Sequence, residues 1–168
     1  MQLPTQLLPS HSSAIAQYLK FSLKSNLTAL LPVNQLAAAL QIEADQITAI
    51  PHLPPWIMGV YNWRGKILWT VDLGHLVGGA SLHQQSKMPA HYNVLLLEQS
   101  CTETSQQYHL GLAVHQIAGV ELLSADCIQS PSDMSKPLVS FLKGYWLGAD
   151  GEMLMLLESS SIFNHMPA

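Results

Sequence analysis

Apolar and polar residues alternate in several short stretches of the chain, and a period of two is typical of half-buried β-strands. In residues 18–24, YLKFSLK, the apolar positions Leu19, Phe21 and Leu23 share one face. A Ser-Asn pair follows, and the apolar run at 27–33 then completes a predicted hairpin. Residues 34–45 stay ambiguous, because their alanine content favours a helix while the neighbouring segments resemble strands.

The strongest hairpin pattern of the first half joins residues 59–63 to residues 66–72 through Arg64 and Gly65. Gly65 can adopt the left-handed backbone conformation that a short hairpin turn requires. The second strand alternates, and its apolar face is predicted to be buried: Ile67, Trp69 and Val71. This assignment places Trp69 in the core.

The second half of the chain repeats this organisation. Strands are predicted at 92–98, 109–115 and 117–123, followed by a hairpin of 141–148 and 152–158 turned at Asp150-Gly151. The segment WIMGVYNWRGKILWTVD resembles FLKGYWLGADGEMLMLLE, and the two end in Asp72 and Glu158. A unit of roughly 70 residues buries little core alone, so two related units are expected to pack together. Many short strands favour small barrels, since closure removes free sheet edges.

Composition adds information about the surface. Hydrophobic residues make up 48% of the 168 residues and charged residues only 11%, against a usual charged share of ~25%. A neutral surface loses little hydration energy on burial, which favours association with other proteins. The seven Lys and Arg residues are scattered and the net charge is −4, so nucleic-acid binding is not expected.

The chain is expected to be a cytoplasmic protein without direct membrane insertion. No apolar run approaches the ~20 residues that span a bilayer. Residues 1–16 contain prolines and no Lys or Arg, so they indicate a flexible N-terminal tail rather than a signal peptide. Cys101 and Cys127 lack C-x-x-C spacing and are expected to be unpaired thiols.

The eight histidines do not form a recognisable chemical motif. None of them shows H-x-x-x-H or H-E-x-x-H spacing, and the chain lacks a G-x-S-x-G sequence and a phosphate-binding loop. We therefore expect no metal, no cofactor and no enzymatic activity. A small-ligand-binding β-barrel, with a metabolite in its apolar interior, remains the alternative to a protein-binding module.

Residues 50–78, IPHLPPWIMGVYNWRGKILWTVDLGHLVG, resemble the signature of CheW-type chemotaxis coupling proteins. That signature combines Ile-Pro, a second proline step, an aromatic residue, a strand-opening glycine, Asn-x-Arg-Gly and an apolar strand ending in Asp-Leu. The matching residues are Pro51, Pro54, Pro55, Gly59, Asn62, Arg64, Gly65, Asp72 and Leu73. The likeness extends more loosely over residues 17–163. It departs from the family pattern at Trp63 and in the Ala-rich segment 36–40.

The resemblance implies an all-β fold of two small five-stranded SH3-like barrels around a shared core, with a few short helices. Along the chain we expect the first barrel mainly at 17–78, a linker at about 79–90 and the second barrel mainly at 91–163. The resemblance also implies a noncatalytic adaptor that binds a receptor's cytoplasmic tip and the regulatory domain of a CheA-type histidine kinase, which has the same fold. Chemotaxis, phototaxis and pilus-based motility are all compatible pathways.

The candidate interface residues are Trp56, Tyr61, Asn62, Trp63, Arg64 and Gly65. Arg64 is the only arginine of the chain, and planar guanidinium groups are enriched at interface hot spots. We expect it to pair with an acid and to stack on the Trp63 indole. The alternatives are that Arg64 is a solvated turn residue and that Trp63 fills the barrel.

Overall fold

A computed structural model describes residues 15–24, 27–79, 81–82, 89–131 and 136–167. The predicted N-terminal tail lies largely outside the described residues, and the first strand begins at Ile15. In the described part the strands are β1 Ile15–Lys24, β2 Leu27–Pro32, β3 Leu36–Glu43, β4 Ile57–Trp63, β5 Lys66–Asp72, β6 His91–Cys101, β7 Gln106–Val114, β8 Gln116–Ser124, β9 Leu142–Leu147 and β10 Met153–Leu157. The helices are α1 Leu73–Leu76, α2 Lys136–Val139 and α3 Ser159–Asn164, with 3-10 turns at Val33–Gln35, Ala44–Gln46 and Ala125–Cys127.

The strands form two five-stranded sheets, in the orders β8-β1-β2-β10-β9 and β3-β6-β7-β5-β4. We call them barrel A and barrel B. Isolated backbone pairs close the barrels, Gln129 with Tyr145 in barrel A and Thr48 with Val60 in barrel B. The expectation of a mainly β fold with two small five-stranded barrels is confirmed.

The predicted division of the barrels along the chain is wrong, because the two halves exchange strands. The first half of the chain contributes β1 and β2 to barrel A and β3 to β5 to barrel B. The second half contributes β6 and β7 to barrel B and β8 to β10 to barrel A. Two parallel strand pairs join the halves within each barrel: β2 pairs with β10 in barrel A, and β5 pairs with β7 in barrel B. Each barrel therefore needs both halves, which is the physical reason that the internal repeat forms a single cooperative structure.

The ambiguous segment 34–45 forms a strand flanked by two 3-10 turns. Residues 36–43 pair antiparallel with β6, and this ladder outweighs the helical preference of the alanines. Partly buried and exposed side chains alternate along most of the strand, as a sheet edge with one solvated face requires. The three predicted hairpins are confirmed at β1–β2, β4–β5 and β9–β10.

The largest core lies between the two barrels, where both contribute fully buried side chains such as Phe21, Leu31, Val71, Leu95 and Leu112. Each barrel also has an interior of its own. Barrel A is filled by Tyr18, Leu30, Trp146, Leu154 and Leu156, and barrel B by Ile42, Met58, Tyr92, Val94 and Ala113. Since these side chains occupy both interiors, the small-ligand-barrel alternative gains no support from the fold.

Candidate protein-interaction site

The β4–β5 turn presents Arg64 at the tip of barrel B. Trp63 pairs with Lys66, so Arg64 and Gly65 form a two-residue loop. Their φ angles are 51° and 78°, and positive φ at both central positions defines a type I′ turn. The Asn62 side chain secures this turn, because its Oδ1 accepts a hydrogen bond of 2.9 Å from the Gly65 N–H. The Asn-x-Arg-Gly sequence is thus a compact turn with an outward guanidinium.

Trp63 is half-buried and lies close to two other planar groups. The Arg64 guanidinium carbon is 5.2 Å from the centre of the indole, and the His109 ring centre is also 5.2 Å from it. His109 Nε2 lies 3.9 Å from the Glu98 carboxylate on the neighbouring strand. The expected stacking of Arg64 on Trp63 is present. Within the described part of the chain, no carboxylate forms the expected ion pair with Arg64.

The other predicted aromatics occupy different environments. Tyr61 is partly buried and packs against the interior of barrel B. Trp56 packs against the core between the barrels, and its carbonyl oxygen accepts a 2.8 Å hydrogen bond from the Asp72 N–H. The structure therefore brings Asn62, Trp63, Arg64 and Gly65 together at one tip and leaves Trp56 at the other end of the hairpin.

The prediction that Trp69 belongs to the core is wrong. Its side chain is 40% exposed, and that of Ile67 on the same face is 75% exposed. The buried residues of this strand are Leu68, Thr70, Val71 and Asp72, so Val71 alone of the predicted apolar face is covered. The Thr70 hydroxyl donates a 2.9 Å hydrogen bond to the Gly59 carbonyl. The inward-facing side of β5 carries the polar residues Thr70 and Asp72 beside Leu68, so the alternation of apolar residues pointed to the outer side instead.

The outward side chains of β5 extend towards β7, where Tyr108 is 48% exposed. We call Ile67, Trp69 and Tyr108 the hairpin patch. Trp69 and Tyr108 also line a groove of about 480 Å³ together with Leu53, Ile57, Val71, His109, Leu110, Phe163, Met166 and Pro167. Sequence reasoning missed this surface, since Tyr108 and the residues after α3 are distant from the signature segment.

A second apolar area lies on barrel A, along β1 and the edge strand β8. Ile15, Val120 and Leu122 are 67%, 57% and 63% exposed, and we call them the edge patch. Leu122 faces Gln17 and Val120 faces Leu19 across the ladder, so the exposed residues share one face of the sheet. The two patches therefore lie on different barrels, each built on regular strands.

Several signature residues serve the fold rather than the surface. Asp72 is fully buried and its carboxylate accepts hydrogen bonds from the N–H groups of His75 and Leu82 and from the Ser81 hydroxyl. It therefore caps α1 and ties down the chain beyond it. Burial raises the pKa of the Tyr92 phenol, and the negative charge of Asp72 raises it further.

The described residues contain no group of three or more His, Cys, Asp or Glu side chains arranged to hold a metal ion. No helix in that part of the chain has the length and apolar character needed to cross a membrane. Cys101 is half-buried and Cys127 exposed, and both thiols are free.

Comparison with known proteins identifies the family of this chain. The family model described as the CheW-like domain matches residues 17–166, nearly the whole chain. The chain belongs to the CheW-like family. Its exchanged barrels, Asn-x-Arg-Gly turn and capping Asp72 are therefore features of a CheW-like domain.

Similar proteins of the family include two from rhizobia. The chain is 29% identical over 117 residues to "Chemotaxis protein CheW" of Rhizobium meliloti (strain 1021), covering 69% of this chain and 68% of that protein. It is 28% identical over 118 residues to "Probable chemotaxis protein CheW" of Rhizobium etli, covering 70% and 69%. The crystal structure of the scaffolding protein TtCheW from Thermoanaerobacter tengcongensis superposes with a TM-score of 0.69 at 22% identity, covering 86% of this chain and 89% of that one.

Proposed function

We propose that this CheW-like chain is a noncatalytic adaptor that couples a chemoreceptor-type receptor to a CheA-type histidine kinase. The observation that carries the proposal is the presence of two exposed apolar patches on different barrels of a CheW-like domain. An adaptor must hold two partners at once, and separate patches permit this without competition. Rhizobial relatives named as chemotaxis proteins support the same pathway class.

The proposed mechanism is geometric. The core shared by the barrels is continuous and fully buried, so the hairpin patch and the edge patch keep a fixed distance and angle. A change in the receptor is then transmitted as a change in the position of the kinase. No step of this mechanism requires a cofactor, and the proposed location is the cytoplasm, where the receptor tip and the kinase meet.

The composition of the patches suits contacts that form and dissociate. Exposed apolar groups supply affinity, and the low charge content keeps the desolvation cost small. Standard interfaces bury ~800 Å² per partner, and a contact that must be remade is expected to have a Kd of about 1–100 μM. Linking many such contacts in an array would strengthen the assembly through multivalency.

Reconstitution tests the proposal. The chain is mixed with receptor cytoplasmic fragments and a CheA-type kinase from its own genome, and complex formation and kinase autophosphorylation are measured. We expect a ternary complex and altered autophosphorylation only when all three components are present. No change in either readout, with a folded chain at concentrations well above 100 μM, would contradict the adaptor function.

A matched pair of variants sharpens the same experiment. Ile67→Thr alters the hairpin patch and Leu122→Thr alters the edge patch, and threonine preserves the strand preference at both sites. We expect each variant to weaken the binding of a different partner by about tenfold, since each removes one exposed apolar anchor. If both variants lose affinity for the same partner by an equal factor, the two patches belong to a single interface, and this result would contradict bridging.

A further inference from the structure

Three side chains from three different strands meet beside the β4–β5 turn, at one mouth of barrel B. Trp63 ends β4, His109 lies on β7, and Glu98 faces His109 across the β6–β7 ladder. Two residues deeper into the barrel, Tyr61 and Gly111 lie on its inner side, as their neighbours show. Because side chains alternate along a strand, Trp63 and His109 share that inner side and stand at the mouth.

The Trp63 indole is restrained by the His109 ring. The two ring centres are 5.2 Å apart and the ring planes are tilted by 50°, which lies in the favourable range for aromatic pairs. The His109 side chain is only 16% exposed, and its Nε2 lies 3.9 Å from the Glu98 carboxylate. The His109 ring therefore has little freedom of its own, and it limits the movement of the indole.

A second planar group on the indole is the Arg64 guanidinium, whose central carbon lies 5.2 Å from the ring centre. Arg64 occupies an exposed turn position, and no carboxylate of the described residues pairs with it. A long side chain that moves freely loses conformational entropy when a partner immobilises it. Contact with a restrained indole removes part of that freedom before the partner arrives.

We infer that His109 is a positioning residue of the interaction site: it restrains the Trp63 indole and thereby presents the Arg64 guanidinium to a carboxylate of a partner protein. A guanidinium binds a carboxylate through two parallel hydrogen bonds only when its plane has the right orientation. The inference rests on the proposed adaptor function, because it needs a partner at this turn. It adds the group that the turn recognises, which is an aspartate or glutamate side chain.

A direct contact of His109 with the partner is the competing explanation, because His109 also lines the groove beside Trp69 and Tyr108. The two roles differ in one respect. A positioning residue loses its effect on binding once the Arg64 guanidinium is removed, whereas a direct contact keeps its effect. A double-mutant cycle of His109 and Arg64 therefore separates them.

NMR spectroscopy of the free chain tests the positioning without any partner. The side-chain protons of Arg64 should show ring-current shifts from the indole, and most of this shift should disappear in His109→Ala. His109→Phe keeps an aromatic ring and should preserve the shift. His91→Ala removes an exposed histidine at the start of β6 and is the matched control. His109→Val, with a side chain suited to a strand, replaces His109→Ala if that variant does not fold. Unchanged Arg64 shifts in a folded variant without the ring overturn the inference.

Isothermal titration calorimetry with the receptor fragment and the kinase regulatory domain tests the consequence for binding. His109→Ala should weaken the binding of the same partner as Arg64→Ala, by about three- to tenfold. It should cause no further loss in the Arg64→Ala background, and His109→Phe should restore the affinity. An equal loss in both backgrounds indicates a direct contact and overturns the inference. The inference also fails if Arg64→Ala changes neither affinity, whereas the adaptor function fails only if reconstitution yields no ternary complex.

Discussion

Thr48 and Val60, the residue after Gly59, close barrel B by exchanging two backbone hydrogen bonds. The Val60 N–H donates to the Thr48 carbonyl and the Thr48 N–H donates to the Val60 carbonyl, both at 2.9 Å. A Cβ atom on Gly59 would overlap that Thr48 carbonyl, and Gly59 has a φ of 144°. The signature's strand-opening glycine is therefore required where β4 meets the chain that follows β3, which are the two ends of the sheet in barrel B.

Gly59→Ala is expected to lower the free energy of unfolding by about 2–4 kcal/mol, because closure must shift and the residue is strained. Urea unfolding measures the effect. Gly144→Ala should cost a similar amount, since a Cβ there would lie 2.7 Å from the Gln129 carbonyl in barrel A. Gly148→Ala is the control, because its nearest atom belongs to the movable Asp150 side chain. A loss below about 0.5 kcal/mol for Gly59→Ala would contradict this role.

Asp72→Ala should destabilise the fold more than Glu158→Ala, although both acids end equivalent hairpins. Asp72 is fully buried, and its carboxylate accepts hydrogen bonds from at least three donors. Glu158 is partly buried, and among the described residues its carboxylate accepts one bond, of 3.1 Å, from the Ser160 hydroxyl. Removing the buried carboxylate leaves its donors unsatisfied. We therefore expect Asp72→Ala to lower the free energy of unfolding by about 2–4 kcal/mol and Glu158→Ala to lower it by less than about 1 kcal/mol. Thermal melting and urea unfolding would show the difference, and equal losses would contradict it.

The local elements could be predicted from sequence because their signals are local. Alternation marked the strands, and Gly65 and Gly151 marked two hairpin turns whose strands pair within a few residues. The stacking of Arg64 on Trp63 followed from their adjacency at such a turn.

The exchange of strands between barrels could not be predicted in this way. It depends on parallel pairing of β2 with β10 and of β5 with β7, and such long-range contacts leave no periodic trace in one sequence. The exposed face of β5 was misassigned for a related reason. Leu68 and Trp69 are both apolar, and it is the closure of barrel B that places Leu68 beside Gly111 and Val94 on the inner side and leaves Trp69 exposed.

The ion pair of Lys20 with Glu152 is expected to make the fold less stable at alkaline pH. The hydrogen bond to Glu152 raises the pKa of Lys20 above its ordinary value of 10.5, and the charges of Glu152 and Glu121 add to this while partial burial opposes it. A raised lysine pKa stabilises the fold fully below 10.5, and this stabilisation is lost as pH rises through the folded-state value. The pair is partly exposed, so its contribution is about 1 kcal/mol.

Lys20→Met should therefore be less stable than the parent chain at pH 8 by about 1 kcal/mol, and the difference should be smaller at a pH well above the ordinary lysine value of 10.5. Urea unfolding of both chains at the two pH values measures this. Tyr92 also destabilises the fold at alkaline pH, but both chains contain it and its effect cancels. Lys143→Met, at an exposed site, should show no such convergence. A constant difference between the chains would contradict the ion-pair explanation.

Arg64→Ala tests whether the turn arginine contacts a partner or is merely solvated. Its guanidinium is held on the Trp63 indole and has no carboxylate partner among the described residues, so a partner's acid can bind it without first displacing an internal one. We expect a loss of about 2 kcal/mol in binding to the receptor fragment or the kinase regulatory domain, with the melting temperature unchanged. Isothermal titration calorimetry measures both affinities.

Arg64→Lys should recover only part of the loss, because an ammonium keeps the charge but not the planar stack. The exposed Lys143→Ala is the matched control. Changes below about 0.5 kcal/mol with both partners would assign Arg64 to the solvated surface.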